Sequence, residues 1–474
     1  MTRNPLTLAL LGGLMLGGCT LAPSYQQPPS PVPAQIGEAG GNSASELTLP
    51  GWSSLYQSAE LRQLIQRALD NNRDLRIAVL DVAALRAQYQ IQRADLYPNL
   101  SVDGSGTRQR LPAELSGTGH STLSDQYGVQ VGVTAWELDL FGRVRSLKDA
   151  SLEKYLASEE AQRSTQLALV AQVAQSYLTL VSDRQNLAIS RETVIAQEDS
   201  LALIERRFES GLGTELDVRQ AQIALQGARA NLASFERQVN QDYNALAVLV
   251  GGPLPTLKSV NLNNDALALV APVPEGLPSA LLALRPDVQQ AEHQLRAANA
   301  NIGAARAAFF PSIQLTGAYG SMSSELSGLF DSGSKAWSFS PSISLPIFSG
   351  GRNRANLDLA EVRQDQAVAS YEKAIQTAFQ EVANALQARD TLARQQQAQQ
   401  ALVTATEQSL TLSQQRYEQG ADDYLAVLDA QRTLLSARQQ LVTLKLQQLT
   451  NETELYRALG GGWDAQQPTH VASR

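Results

Sequence analysis

Two patterns of hydrophobic and polar residues alternate along this chain, and each occurs twice. Long tracts rich in Ala, Leu, Gln, Glu and Arg have helical periodicity, and shorter segments alternate strictly between apolar and polar residues. The helical tracts 143–210 and 352–419 each run 68 residues without a Gly or Pro. At roughly 1.5 Å per residue each tract predicts a helix about 100 Å long, far longer than ordinary globular helices. Such rods suit a protein that crosses a wide aqueous gap.

The two long tracts belong to an internal duplication. The segment Arg207-Phe208-Glu209-Ser210-Gly211 recurs as Arg416-Tyr417-Glu418-Gln419-Gly420, at an offset of 209. Gly251-Gly252 and Gly460-Gly461 share that offset, whereas Tyr97-Pro98 and Phe310-Pro311 are related by 213. Chance similarity between helical tracts would not keep register through glycines and prolines. The period is far longer than the roughly 20–50 residues of solenoids, so it predicts one doubled supersecondary unit.

Each copy is predicted to contain a helix, two strands, a long helix, a turn and a returning helix. In the first copy we expect one helix from about Ser58 to Leu96, ending at the proline that follows Tyr97, and strands near 99–110 and 127–141. In the second copy we expect strands near 312–321 and 337–348. The predicted segments are a signal peptide (1–18), a Pro-rich anchored segment (19–57), a first repeat (58–252), a linker forming a belt (253–280), a second repeat (281–462) and a tail (463–474).

The alternating segments have one apolar face and one small polar face. Trp337, Phe339 and Ile343 alternate with serines in the second copy, and the region around Val131 alternates likewise in the first. The pattern alone fits a soluble β-sandwich equally well. The strand lengths, near the ~9–11 residues of tilted spanning strands, and aromatic residues near the strand ends favour a membrane β-barrel. The loops 111–124 and 322–335 would then lie at its outer end.

Four strands per chain cannot close a barrel, and lipid does not tolerate an open sheet edge. Two chains would give eight strands around an interior that side chains normally fill, and the inward Ser, Thr and Gly are too small to fill it. Three chains would give twelve strands and an aqueous lumen. We therefore predict an α+β membrane protein that forms a trimeric 12-stranded β-barrel.

The helical tracts carry a coiled-coil seam and well-defined ends. The seam has 3-4-3-4-3 spacing in Val368, Tyr371, Ile375, Ala378, Val382 and Ala385. Gly211 and Gly420 are predicted to end the long helices in a left-handed conformation. Thr214 and Asp423 are predicted N-caps of the returning helices, and Thr214 forms a capping-box pair with Asp217. Each hairpin tip is thus expected to be short and rigid.

The composition and the N-terminal sequence limit the classes of partner and the cellular location that the protein can have. The net charge is −8 and no basic run occurs, which argues against nucleic-acid binding. The single cysteine, Cys19, follows an apolar stretch (6–16) and Gly17-Gly18, and this signal-like ending resembles a bacterial lipobox, implying cleavage before Cys19 and its lipidation. An ordinary signal peptide with an incidental cysteine is the alternative. The prolines that follow predict a stiff, extended tether.

No enzyme signature is present. His120, His293 and His470 have no metal-like spacing, and no P-loop, dinucleotide or nucleophile-elbow motif occurs. We expect no catalytic residue, cofactor or metal site. A structural coiled-coil filament would leave the paired strands and the lipobox unexplained.

The chain resembles the TolC-type outer membrane factors, in particular the lipoprotein subfamily of tripartite multidrug (RND-type) efflux systems. The similarity extends roughly from Trp52 to Trp463. It is carried by the segments 345–352 (LPIFSGGR), 416–420, 424–425, 428–432 (LDAQR) and 459–463 (LGGGW). The resemblance implies a homotrimer in the outer membrane, with a 12-stranded barrel continued by a 12-helix periplasmic tunnel. It also implies a periplasmic adaptor and an inner-membrane pump as partners, and drugs and other small molecules as substrates.

By the same resemblance, the second hairpin carries the periplasmic gate. The matching residues are Leu425, Asp429 and Arg432, with Asp422 and Asp423 as candidates for a ring at the mouth. A surface i,i+3 ion pair and ordinary helix capping are the alternatives for these residues. The residues expected to dock the adaptor, which also serve to end helices, are Gly211, Gly213, Thr214, Gly420 and Ala421. Protein secretion or metal-ion export remains open as an alternative function.

Overall fold

The computed structural model describes residues 20–36, 51–117, 119–257, 262 and 277–461. Cys19, most of the predicted linker (253–280) and the predicted tail from 463 onward lie outside the described residues. The lipidation of Cys19 and the belt formed by the linker therefore stay predictions.

Helices dominate the described part of the chain. The α-helices are α1 (Trp52–Leu55), α2 (Ala59–Asn71), α3 (Arg73–Ala94), α4 (Arg143–Glu209), α5 (Glu215–Val250), α6 (Pro286–Ala307), α7 (Arg352–Glu418) and α8 (Tyr424–Ala458). The strands are β1 (Gln35–Ile36), β2 (Leu100–Leu111), β3 (Thr122–Glu137), β4 (Leu277–Pro278), β5 (Ser312–Ser323) and β6 (Lys335–Ser344). Short 3₁₀ segments span Ser279–Leu284 and Leu326–Gly328. None of the described helices is both long and apolar enough to span a membrane.

The two predicted rods are confirmed as the longest helices. Helices α4 and α7 each span 67 residues. Each begins at the first residue of its predicted tract (143–210 or 352–419) and ends one residue before the last. The predicted seam of α7 lies against other parts of the protein, since Tyr371, Ile375, Ala378, Val382 and Ala385 are all buried. The periodicity of the apolar residues thus identified the packed face correctly.

The single helix expected from Ser58 to Leu96 is wrong, because the chain forms two helices that break at Asn72. Asn72 has an extended conformation (ψ 134°) and its buried side chain bonds in two directions. Its Oδ1 accepts from the backbone N–H of Leu75 at 2.9 Å, and its Nδ2 donates to the carbonyl of Leu249 at 2.9 Å. The side chain therefore caps α3 and satisfies a carbonyl at the end of α5.

The second repeat makes the same link with a different residue. Arg285, at the position of Asn72 in the duplication, donates to the carbonyl of Ala458, which corresponds to Leu249. Arg285 is 3% exposed and also forms a two-bond contact with Asp287 and an ion pair with Glu381. These carboxylates lower the desolvation cost of a buried guanidinium, and the guanidinium holds the pKa of Asp287 below its usual range. The structural equivalence of the two repeats extends to individual hydrogen bonds.

One compact unit of the chain is helical. It comprises Ser30–Leu80, Glu160–Gln289 and Lys373–Arg474. Its largest apolar cluster joins α2, α4, α5 and α8 through buried residues that include Leu64, Ile65, Tyr177, Leu180, Leu246 and Val442. Smaller clusters follow α4 and α5 away from this core toward the turn at residues 210–214.

The other compact unit contains the main sheet. It comprises Met1–Pro29, Asp81–Glu159 and Gln290–Glu372. The sheet is antiparallel with strand order β2-β3-β5-β6, so that the two repeats meet at the pairing of β3 with β5. The outer edges of β2 and β6 have no partner among the described strands.

The apolar face of this sheet is exposed in the single chain. Val102, Val131, Tyr319 and Trp337 lie side by side in register across the four strands, and they are 71%, 49%, 60% and 77% exposed. The adjacent row, on the opposite face, consists of small residues: Ser101, Gly132, Ala318 and Ser338. The exposed apolar row contradicts the sandwich alternative, in which it would be buried against a second sheet.

The strands extend further into the expected loops than the sequence indicated, and β3 and β6 end earlier than predicted, at Glu137 and Ser344 instead of near 141 and 348. Leu111 pairs with Thr122 and Ser321 pairs with Lys335, so the connecting loops are shorter than 111–124 and 322–335. A bulge interrupts β3 between Val133 and Trp136. At this bulge Ala135 has a φ of 50°, and its N–H donates to Oγ1 of Thr316 at 3.1 Å. A side-chain acceptor thus satisfies a backbone group that the ladder leaves unpaired.

Replacement of Asn72 should lower the stability of the helical unit. Asn72→Ala removes a cap and leaves the carbonyl of Leu249 without its donor, so we expect a loss of about 2 kcal/mol in free energy of unfolding. Asn71→Ala is the matched control, because the Asn71 amide only donates to the carbonyl of Arg67 on the exposed side of α2. Thermal unfolding monitored by circular dichroism checks the prediction, and equal midpoints for the two variants would contradict it.

Candidate functional site

The candidate site consists of the two helix-to-helix turns of the helical unit. In the first turn the N–H of Leu212 donates to the carbonyl of Arg207 at 2.8 Å, and that of Gly211 donates to the carbonyl of Phe208 at 2.9 Å. Gly211 has a φ of 71°, a left-handed conformation that a Cβ would disfavour. This is the Schellman arrangement, and it satisfies the last carbonyls of α4.

The second turn repeats this geometry at the duplication offset of 209. The N–H of Ala421 donates to the carbonyl of Arg416 at 2.9 Å, that of Gly420 donates to the carbonyl of Tyr417 at 3.0 Å, and Gly420 has a φ of 73°. Both turns lead directly into a capped helix. The side chain of Thr214 accepts from the N–H of Asp217 while the Asp217 carboxylate accepts from the N–H of Thr214, and Asp423 accepts from the N–H of Ala426 at 3.2 Å. The predicted caps are confirmed.

The second turn carries an ion pair that the first lacks. The guanidinium of Arg416 donates to both carboxylate oxygens of Asp422, at 2.6 and 2.9 Å. These bonds hold the pKa of Asp422, which is half-buried, below its usual range. The corresponding residue of the first turn is Gly213, which cannot bind Arg207, and the guanidinium of Arg207 lies instead over the ring of Tyr417, 4.8 Å from its centroid.

An aromatic and aliphatic cluster joins the two hairpins beside these turns. The ring centroids of Tyr417 and Tyr424 lie 5.5 Å apart, and Tyr424 is buried together with Ile204, Val427 and Leu428. Burial raises the pKa of Tyr417 and of Tyr424 above the usual value of a phenol. Further along the helices, Nε2 of Gln197 donates to Oε1 of Gln431 at 2.9 Å.

The predicted gate residues lie on the opposite face of α8. Leu425, Asp429 and Arg432 occupy positions i, i+4 and i+7, so they share one face of the helix. All three are exposed, and Leu425 is 56% exposed despite its apolar side chain. No ion pair between Asp429 and Arg432 occurs within the described single chain. The face is therefore available to another copy of the chain or to a partner.

The other two residues predicted for the gate have local partners. Asp423 caps α8, and Asp422 binds Arg416. Of the five residues predicted for the gate, Leu425, Asp429 and Arg432 therefore share one exposed face of α8. The other two form hydrogen bonds within the turn. Sequence reasoning missed the bond between Arg416 and Asp422 and the position of Arg207. The sequence did contain a signal for the bond of Arg416 to Asp422, because the equivalent position of the first repeat is Gly213, which has no side chain to accept it.

The turns contain no chemistry typical of catalysis or metal binding. Within the described ranges no group of three or more His, Cys, Asp or Glu side chains is placed to hold a metal ion. The arrangement offers hydrogen-bonding groups, charges and an apolar residue on a rigid scaffold. Such a surface suits the recognition of a protein or the formation of a constriction.

Comparison with known proteins gives the family. The sequence profile described as outer membrane efflux protein matches residues 64–252 and 277–461, one match in each half of the chain. The solvent efflux pump outer membrane protein SrpC of Pseudomonas putida is 51% identical over 468 residues, covering 97% of this chain and 99% of that protein. The outer membrane protein OprJ of Pseudomonas aeruginosa is 48% identical over 457 residues, covering 96% and 95% of the two chains.

Solved structures agree with this assignment. A membrane protein from Pseudomonas aeruginosa superposes with a TM-score of 0.87 at 46% identity, covering 93% of this chain and all of that one. The open state of the MtrE outer membrane channel of Neisseria gonorrhoeae gives a TM-score of 0.83 at 39% identity, covering 94% and 98%. The chain belongs to the outer membrane efflux protein family, has the TolC-type fold, and is the outer membrane channel component of a tripartite efflux pump.

Proposed function

We propose that three copies of the chain form one closed duct through which small organic molecules leave the cell, gated at the helical turns. The observation that carries this proposal is the four-stranded sheet, whose apolar row is exposed and whose β2 and β6 edges are unpaired in the described chain. In lipid those edges require partners, and copies of the same sheet supply them. Twelve strands are the smallest multiple of four that leaves a lumen for small inward side chains.

The internal repeat indicates which residues meet between copies. Within the chain Phe141, after β3, stacks on Phe310, before β5, with centroids 4.8 Å apart. The corresponding residues at the free ends are Phe348, after β6, and Tyr97, before β2, which are 90% and 62% exposed. We infer that Phe348 of one copy packs on Tyr97 of the next, as Phe141 packs on Phe310.

Helix α3 also carries a surface that suits a second copy. Ile77, Leu80, Ala84, Ala87 and Ile91 follow 3-4-3-4 spacing, which is the spacing of a coiled-coil seam. All five are exposed in the single chain, and the three large side chains are 56–62% exposed. A helix of the neighbouring copy would bury this stripe.

The gate is proposed to lie on the exposed face of α8. Threefold symmetry would gather three copies of Asp429 near one axis, where like charges repel unless Arg432 of the same or a neighbouring copy compensates them. Leu425, one turn nearer the tip, would add an apolar constriction. A partner that moves α8 would open this closure. Asp422 and Asp423 are proposed to line the mouth of the duct while they keep their hydrogen bonds to Arg416 and to the N–H of Ala426.

The turns themselves are proposed to dock a periplasmic adaptor that links the channel to an inner-membrane pump. The residues Gly211, Gly213, Thr214, Gly420 and Ala421 form two similar, rigid and solvent-accessible surfaces, 209 residues apart in the chain. Exposed Leu212 and Leu216 add apolar area beside the first. Energy must come from the pump, and we propose that the channel itself has no enzymatic activity.

The path of the N-terminal segment supports an anchor at Cys19. Tyr25 donates to Glu292, and the carbonyl of Pro23 accepts from Asn299, so the chain follows α6 toward its C-terminal end as it approaches residue 20. That end leads into β5. Lipid attached to Cys19 would then lie near the sheet that is proposed to span the membrane.

Substrates are proposed from the relatives and from the nature of the duct. The similar proteins of Pseudomonas putida carry names that refer to solvent, toluene and antibiotic efflux. We propose that this channel passes comparable small organic molecules. The duct itself is expected to be permissive, because selection can occur at the pump.

Loss of the charged gate should open the channel. Asp429→Ala combined with Arg432→Ala should raise single-channel conductance in planar bilayers severalfold, since the constriction loses its charged groups and the long side chain of Arg432. The matched control is Glu215→Ala with Arg219→Ala, an exposed ion pair on α5. Unchanged conductance of the gate variant, or an equal rise in the control, would refute the assignment.

Loss of the phenyl ring of Phe348, which is proposed to lie between copies, should weaken the trimer. Phe348→Ala removes a ring whose burial between copies is worth about 2–3 kcal/mol per contact, so the trimer band on a semi-native gel should dissociate at a lower temperature. Phe330→Ala is the control, because that ring is 79% exposed in the loop between β5 and β6. A trimer of unchanged stability in the Phe348 variant would exclude this contact.

A charge placed on the docking surface should reduce adaptor binding. Ala421→Glu alters an exposed residue whose backbone, not its side chain, makes the turn, so the fold should persist. We expect a clear loss of adaptor recovered with the channel after crosslinking in cells. Gln238→Glu is the control, because it adds the same carboxylate on the exposed side of α5, far along the helix from either turn. Equal recovery for both variants would contradict the docking role.

A further inference from the structure

Two carboxyl groups face each other across the first helical hairpin. Helices α4 and α5 run antiparallel and are linked by two pairs of opposite charge, Glu198 with Arg229 at 2.8 Å and Arg191 with Glu236 at 3.8 Å. The next level of the hairpin, about two turns further from the tip, brings Asp183 of α4 against Asp242 of α5. At this level the two helices present like charges to each other.

Neither carboxyl group has the surroundings that an ionised pair requires. Asp183 is 8% exposed and Asp242 is half-buried. The Oδ2 atoms of both residues are buried and accept no hydrogen bond from the described residues. Carboxylate oxygens only accept, so two ionised groups here would be both unsatisfied and mutually repulsive. One proton between them removes both problems, because a protonated carboxyl donates.

Polar atoms on the neighbouring turns of α4 are likewise buried without partners among the described residues. Asn186 and Ser190, on the same face as Asp183, are 7% and 2% exposed, and Oδ1 of Asn186 and Oγ of Ser190 have no hydrogen-bond partner among the described residues either. A buried polar seam therefore continues from Asp183 toward the tip. One proton shared by Asp183 and Asp242 would satisfy the carboxyl groups at the end of this seam.

Other charged groups near this level have partners or belong to other contacts. Glu60 of α2 accepts from Tyr177 of α4. Arg438 of α8 binds Glu407 of α7 and also pairs with Glu192 of α4 at 3.8 Å. The remaining titratable or charged groups on nearby turns are Arg184 on α4, Arg237 and Tyr243 on α5, and Lys445 on α8. Burial is the main cause that raises the pKa of Asp242 to about 7, followed by the hydrogen bond to Asp183 and its negative charge.

We propose that Asp183 and Asp242 share one proton and act as a pH-sensitive latch that holds α4 and α5 together midway along the first hairpin. In the latched state Asp242 donates the shared proton to Asp183. When the proton leaves for solvent, two carboxylates face each other in a poorly hydrated gap, and the helices separate locally to admit water. Residues 183 and 242 lie roughly 40 Å along the helices from the tip, so a small separation there changes the spacing of the turns.

The sign of the pH dependence follows from the raised pKa. A carboxyl whose pKa is higher in the folded protein than in the unfolded chain stabilises the fold fully at low pH. That stabilisation is lost as the pH rises through the folded value. The hairpin is therefore most firmly closed below about pH 4 and loosens as the pH passes about 7.

Infrared difference spectroscopy of the purified full-length channel tests the latch directly. A protonated carboxylic acid has a carbonyl stretch that ionised carboxylates lack. We expect such a band to disappear between pH 6 and 8 with a midpoint of about 7 in the native protein, and to be missing in Asp242→Asn. Asp183→Asn should move the midpoint down by about one unit or more, because the charge that holds the proton is gone.

Matched variants separate the latch from general effects of charge. Glu198→Gln removes a carboxylate from the same pair of helices, at the level of an opposite-charge pair, and should leave the band unchanged. The midpoint of thermal unfolding of the native protein should fall as the pH rises from 6 to 8, and Asp242→Asn should flatten this dependence. The latch is overturned by a native spectrum without a carboxylic acid band near neutral pH, or by an Asp242→Asn variant that keeps the native pH dependence. A cation site is the other outcome. If Mg²⁺ or Na⁺ stabilises the native protein at pH 8 but stabilises neither Asn variant, the two carboxylates bind a cation, and the latch is overturned.

Discussion

The backbone N–H and C=O groups along the two outer edges of the four-stranded sheet have no partner among the described strands. Strands β2 and β6 each expose one side of a ladder of ten or more residues to whatever surrounds the described chain. In hydrocarbon an unsatisfied backbone group costs several kcal/mol, so this sheet cannot exist in a membrane as a single copy. Association is thus a condition of insertion. We propose that lipid then buries the exposed apolar row and that neighbouring copies bury the stripe on α3.

The duplication reduces the number of different interfaces that such an assembly needs. The junction of β3 with β5, where the two repeats meet, is already present within one chain, and its Phe141–Phe310 stack shows how the end of one unit meets the start of the next. A junction between copies needs only the same geometry with related residues. The equivalent bonds of Asn72 to Leu249 and Arg285 to Ala458 show that the equivalence extends into the helical unit. We propose that small differences between the repeats, such as Asp422 against Gly213, allow the two hairpins to serve different functions.

The sequence predicted features set by local rules much better than features set by tertiary contacts. Helices α4 and α7 were located within one residue, because their ends are marked by glycines and caps. The break at Asn72 was missed, because its cause is a carbonyl 177 residues away in the chain. Spacing alone puts Asp429 and Arg432 on one helix face, but what that face meets depends on other copies of the chain. The pairing of Asp183 with Asp242 was invisible, since a polar residue at helical spacing indicates a solvated face until a second helix is placed beside it.

The distribution of polar residues along the first hairpin indicates where it can move. Near the base of the hairpin, Tyr177, Leu180 and Leu246 are almost completely buried in the main apolar cluster. Beyond Asp183 the inner face of α4 also carries buried polar side chains, several of whose atoms have no partner among the described residues. Apolar contact with α5 continues there only in smaller clusters, such as that of Val194 with Leu225 and Ala228. Local stability follows buried apolar contact, so opening should begin in the polar stretch and leave the base intact. A channel that must open at one end and remain assembled at the other requires such a gradient, and the shared carboxyl pair lies where the gradient begins.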